Sequence, residues 1–383
     1  MHSISEAADP RTFPDAAAAP KDTARLHALA AASQAANAQE AATRDAMITE
    51  ALAALLAPGQ GEQLVAVFAT APSVAVYRHL WRVLGQCERA ALAEGSLGVT
   101  LFALPLVIIA GIDGEDRARA TLPCVLDDAE LLASMMREHG ALAGNQSFAL
   151  ANVLVGAAAI DLDRLPDLLA WRTLPAVASP GRGFEPAPIA LSSGPETVHL
   201  RFLPGNAIAA PTADVLRSDE VGGWGMPFTQ SLGRQLAAPG TSVLALPRAP
   251  QSLLRALWQG RVAQRETGAH LFAANAIRKL RASVGEPTAV ISAHCAPTAP
   301  GGGEVRLSLS SPFDAKAAEG FRCPLYPLDR IGDVVAMLTD LLAQCRVNDV
   351  RVVPGVHGDR DPVTGLPLLF KGDDLPAQVP GWH

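Results

Sequence analysis

Three residues near the C-terminus, His357, Asp359 and Asp361, stand at alternate positions in "VHGDRDPVTGLP". On an extended strand this spacing puts an imidazole and two carboxylates on one face. That is a donor set for a hard metal or for general acid/base work. The same stretch also has turn chemistry. In "DPVTG", Asp361 suits the first corner, Pro362 fixes φ at the next, and Gly365 is free to take a positive φ. The flanking "DVRVVPGV" and "LPLLF" are short and β-like, so a hairpin tip is the structural expectation. His357 is the acid/base candidate there, and His357, Asp359 and Asp361 are the metal candidates.

Other residues offer different chemistry. His294 and Cys295 end the expected strand "TAVISAHC". A thiolate beside an imidazole is a nucleophile, although adjacent strand residues point to opposite faces. A buried cysteine next to a strand-end histidine is the ordinary alternative. In "GGWGMP", Gly222, Gly223 and Gly225 precede a helix, where backbone N–H groups can cradle an anion. The stretch lacks the Lys-Ser/Thr of a P-loop and the spacing of a dinucleotide fingerprint. A tight loop anchored by Trp224 is the competing reading. Arg255, Arg261, Arg265, Arg278, Lys279 and Arg281 crowd one expected helix, with Glu266 the sole acid until Glu286. Such a run meets phosphate, nucleic acid or an acidic partner, or is simply a solvated face. The glycines with Arg255 and Arg261 are the ligand-binding candidates; His294, Cys295 and His357 are the catalytic ones. No HExxH, GxSxG, EF-hand or zinc-ligand spacing appears, and nothing assigns a cofactor.

These groups need a scaffold, and the composition allows a large one. Of 383 residues, 49% are hydrophobic and 18% charged, with a mean hydropathy of +0.20, so a sizeable core is expected. The net charge of −7 speaks against sequence-independent nucleic-acid binding. Cys87, Cys124, Cys295, Cys323 and Cys345 are scattered with no CxxC, which suits free thiols in a reducing cytoplasm. The N-terminus has no apolar segment behind a basic start, so no secretory signal is expected. "LGVTLFALPLVIIAGI" (97–112) falls short of the ~20 apolar residues of a membrane span and contains Pro105. It reads as a strand buried on both faces.

Residues 1–22 read as a disordered leader and 23–56 as an Ala-rich helix. The early half of that helix has small residues all round, which suggests a loosely attached docking arm. "QLVAVFAT" (63–70) is expected as a strand, 73–95 as a helix, 99–110 as a strand and 126–140 as a helix. "SFALANVLVGAAA" is ambiguous and "DLDRLPDLLAWRTL" helical. Pro, Gly and Ser are dense over 174–196, which reads as a linker between an N-terminal domain (23–173) and a C-terminal one (197–383). In the second half, strands at 197–204, 241–247, "TAVISAHC" and "EVRLSLSS" accompany helices over 250–285 and 329–347. The expected fold is α/β in two domains, with a mixed parallel/antiparallel sheet in the C-terminal one.

The arm and the missing catalytic constellation favour a cytoplasmic accessory or assembly protein that works through a protein partner. On that reading, removal of residues 1–45 leaves the fold intact. The alternative is an enzyme or small-molecule binder that takes an anionic ligand in a C-terminal α/β cleft. A minor alternative is nucleic-acid binding through helix 250–285.

Overall fold

The computed structural model describes residues 21–90, 98–112, 120–142, 147–170, 183–191, 196–209, 221–283, 285–295, 303–311 and 318–356. Its contacts divide the chain into two compact units. One comprises Ala32–Ala66 and Trp81–Gln264; the other comprises Met1–Ala31, Val67–Leu80 and Arg265–His383. Helix and strand are mixed throughout, as expected of an α/β chain. Among the described residues no helix is long and apolar enough to cross a membrane.

Four helices precede the first described strand: α1 (Lys21–Gln34), α2 (Ala38–Leu55), α3 (Gly61–Ala69) and α4 (Val74–Ala90). The Ala-rich stretch breaks at Asn37, whose backbone is extended and whose side chain accepts the Glu40 N–H at 3.0 Å. That is an N-cap, and it starts α2. The expected free arm is corrected: α1 is packed. Thr23, Leu26, His27 and Ala30 are buried at helical spacing, and His27 Nε2 hydrogen-bonds the Val67 carbonyl oxygen at 2.8 Å. Small residues let a helix lie close to its neighbours, so an alanine face that reads as featureless is a packing face here. The strand expected at 63–70 is also corrected. Leu64, Val67, Phe68 and Ala71 are buried at i, i+3, i+4 and i+7, and the segment is α3.

The unit containing Trp81–Gln264 is built on an antiparallel sheet of order β3-β5-β1-β6, where β1 is Gly98–Ile112, β3 Ser147–Leu150, β5 Thr197–Ala209 and β6 Thr241–Pro247. β1 is the expected buried strand, with Phe102 through Ile108 fully enclosed apart from Pro105, which is also buried. Its ladder with β6 stops at the pair Leu106–Pro247, so the N–H that Pro105 lacks falls just past the end. Two short strands, β2 (Ala120–Leu122) and β4 (Ile189–Leu191), pair beside this sheet. β1 and β5 lie on opposite sides of the segment 174–196, yet they pair from Gly98–Ala209 to Ala110–Thr197. The expected domain boundary is therefore not where the chain divides. Proline and glycine density reports local conformation, whereas an antiparallel ladder joins residues far apart in sequence.

The other unit holds a mixed sheet of order β10-β7-β8-β9: β7 (Thr288–Cys295), β8 (Gly303–Ser310), β9 (Ala318–Leu325) and β10 (Val350–Val356). β7, β8 and β9 are antiparallel and β10 joins β7 in parallel, as expected for this half. The crossover to β10 is the helix Ile331–Gln344. That helix ends in a Schellman turn: Val347 N–H donates to the Leu342 carbonyl at 2.9 Å and Arg346 N–H to the Ala343 carbonyl at 3.0 Å. Arg346 sits there at φ 58, the only non-glycine residue with a positive φ among those described. The equivalent turn after helix Ala129–Glu138 uses Gly140 at φ 63. Arg346→Gly is thus expected to stabilise the protein by about 0.5–1 kcal/mol, since an L-residue is strained in this region. A guanidinium denaturation midpoint unchanged or lowered by this substitution would contradict the assignment.

Candidate functional site

The sheet β10-β7-β8-β9 has two buried faces of opposite character. Alternation along each strand sends Ala289, Ile291 and Ala293 of β7, Val305, Leu307 and Leu309 of β8, and Cys323 and Leu325 of β9 to one side. There they pack against Ala273, Ile277 and Leu280 of the long helix Leu253–Ser283 and against Leu338 and Leu342 of Ile331–Gln344. The intervening residues share the other face: Ser292 and His294 of β7, Glu304, Arg306 and Ser308 of β8, and Arg322 of β9.

Register fixes the arrangement of the polar face. Ser292, Arg306 and Arg322 form one row across three strands, and His294 stands opposite Glu304 in the next. Ser292 Oγ and His294 Nε2 are 2.7 Å apart. Arg306 Nε donates to Glu304 Oε1 at 2.5 Å, and Arg322 Nε lies 3.8 Å from the same oxygen. Exposure is graded across the cluster. Ser292, His294 and Arg306 are sealed, with Arg306 at 0%, whereas the side chains of Glu304 and Arg322 are 16% and 31% exposed. Solvent thus reaches the cluster from the side of the edge strand β9.

A second ionic group adjoins this end of the sheet. The guanidinium of Arg265 makes a bidentate pair with the Asp329 carboxylate, both side chains being 5% exposed, and also donates to the Pro324 carbonyl at 3.0 Å. It lies 5.4 Å from the centre of the Tyr326 ring. Asp329 further accepts the Tyr326 N–H at 2.7 Å, and its own carbonyl accepts from Arg78 at 2.7 Å. Burial pushes the Cys323 thiol up to about 12; Arg265 pulls it the other way, and Glu304 and Asp329 add to the rise. Burial also raises the thiols of Cys87 and Cys124. None of these three is poised as a nucleophile.

The other sequence candidates fare differently. His294 lies on the polar face, hydrogen-bonded to Ser292. Cys295 ends β7 in register with Gly303, but its side chain lies outside the described residues. His357, Asp359 and Asp361 lie outside them as well. Among the described residues no group of three or more His, Cys, Asp or Glu could hold a metal ion. Gly222 and Gly223 form a 3₁₀ turn with buried Trp224, continuous with the helix Gly225–Leu236, where a loop had been expected. Backbone and packing account for all three glycines. Gly222 has φ 53, a Cβ at Gly223 would come within 3.1 Å of His139 Nδ1, and one at Gly225 would collide with the Val221 side chain. These glycines belong to the unit of Trp81–Gln264 and His294 to the other.

The basic helix is largely satisfied within the chain. Arg261 pairs with Asp161 at 2.9 Å, Arg265 with Asp329, Lys279 with Glu319 at 2.8 Å and Arg281 with Glu286 at 3.0 Å. Arg255 is exposed on the same helix. No protein-family model, curated protein or solved structure matches the chain. The polar-face residues Ser292, Glu304, Arg306, Ser308 and Arg322 were not singled out by sequence. Their signal was present as period-two alternation in "ISAH" and "EVRLSLS", but alternation does not tell a buried polar face from a wet one.

Proposed function

We propose that this protein binds a small anionic ligand on the polar face of its C-terminal sheet, entered from the β9 side. The observation that carries this reading is the guanidinium pair Arg306 and Arg322, in register on adjacent strands and backed by Ser292 and His294. Arginine presents a rigid fork of donors that suits carboxylate and phosphate oxygens. Burial strengthens those contacts by lowering the local dielectric. The Ser292–His294 hydrogen bond favours a second, related reading, in which the imidazole serves as a base and the protein is an enzyme. The burial of Thr23, Leu26, His27 and Ala30 in α1 speaks against a free docking arm, one of the observations behind an accessory role. Acid partners on Arg261, Arg265, Lys279 and Arg281 reduce the free basic surface that nucleic-acid binding would use. Free Cys87, Cys124, Cys323 and Cys345 suit a cytoplasmic protein.

The test is thermal unfolding of the full chain against rising phosphate, sulfate or acetate, with chloride matching the ionic strength. A bound anion adds about 2.7 kcal/mol at one hundred times its Kd, so Tm should climb with each ligand that fits. Arg322→Gln, at a partly exposed position, should leave the ligand-free Tm close to wild type and remove the climb. Parallel curves for wild type and variant would sink the proposal.

A further inference from the structure

We draw no further inference here: the strongest candidate, the hydrogen-bonded pair Ser292 and His294 on the interior strand β7, belongs to the site already described and is sealed from the solvent through which a substrate would reach it.

Discussion

Asp329→Ala should destabilise the unit that carries β7–β10 by about 3–5 kcal/mol, the range found when one member of a buried ion pair is removed. The size follows from what is left behind. Arg265 is 5% exposed and cannot reach bulk water, yet it keeps its charge at any pH of interest. Its contacts with the Pro324 carbonyl and the Tyr326 ring remain, but the carboxylate that balances it is gone. The loop between β9 and the helix Ile331–Gln344 also loses the bond from the Tyr326 N–H. Hydrogen exchange should report the damage as lost protection in β8 and β9 peptides, with β1 and β5 peptides in the other unit far less affected.

The paired substitution Arg265→Met with Asp329→Ala is the decisive comparison. If the cost comes from the stranded charge, the double variant recovers much of the loss and the two substitutions are strongly non-additive. If the cost came from the mere absence of packing, the double variant would be worse than either single one. An Asp329→Ala protein within about 1 kcal/mol of wild type, below the range for buried pairs, would show that the pair is screened and not buried.

Much of the scaffold was legible because its signals are local. Asp128 caps its helix by accepting the Leu131 N–H at 2.8 Å, and Gly140 ends the same helix, as acids and a terminal Arg-Glu-His-Gly lead one to expect. The unbroken apolar run 99–110 is a central strand, paired with β5 and β6, whose successive residues Phe102, Ala103, Leu104, Leu106, Val107 and Ile108 are buried on both faces of the sheet. Where the sequence misleads, the deciding contact is distant. "QLVAVFAT" is β-rich in composition, but its burial follows a helical period. β9 escaped notice because "AEGFRCPL" contains Gly320 and Pro324, which an edge strand tolerates and a central one does not. The polar face was hidden for a related reason. Glu304, Arg306 and Ser308 have the pattern of a solvent-facing row, and only the structure shows that Arg306 is enclosed.

The same dependence on distant partners makes Gly205→Ala the second large effect, at about 3 kcal/mol, the upper part of the range for overpacking a core. Taken from the sequence alone, this substitution in a strand looks favourable, because alanine loses less backbone freedom than glycine on folding. In the sheet, Gly205 of β5 lies between Leu150 of β3 and Phe102 of β1. The Phe102 ring lies over the glycine: an added Cβ would collide with ring atom Cζ and sit 2.7 Å from Cε2 and 2.9 Å from the Ala149 carbonyl oxygen. The ring has little freedom to move. It is fully buried and packs edge-on against Phe148, with centroids 6.2 Å apart. Removing the ring should therefore rescue the methyl group. Phe102→Ala alone costs about 3–5 kcal/mol as a cavity, and adding Gly205→Ala to it should cost little more, since the new Cβ enters the vacated space. Denaturant midpoints of the two single variants and the double variant measure this coupling. Simple additivity would mean that the ring does not rest on Gly205, and that the close approach of β1 and β5 at this pair is not what glycine is there to allow.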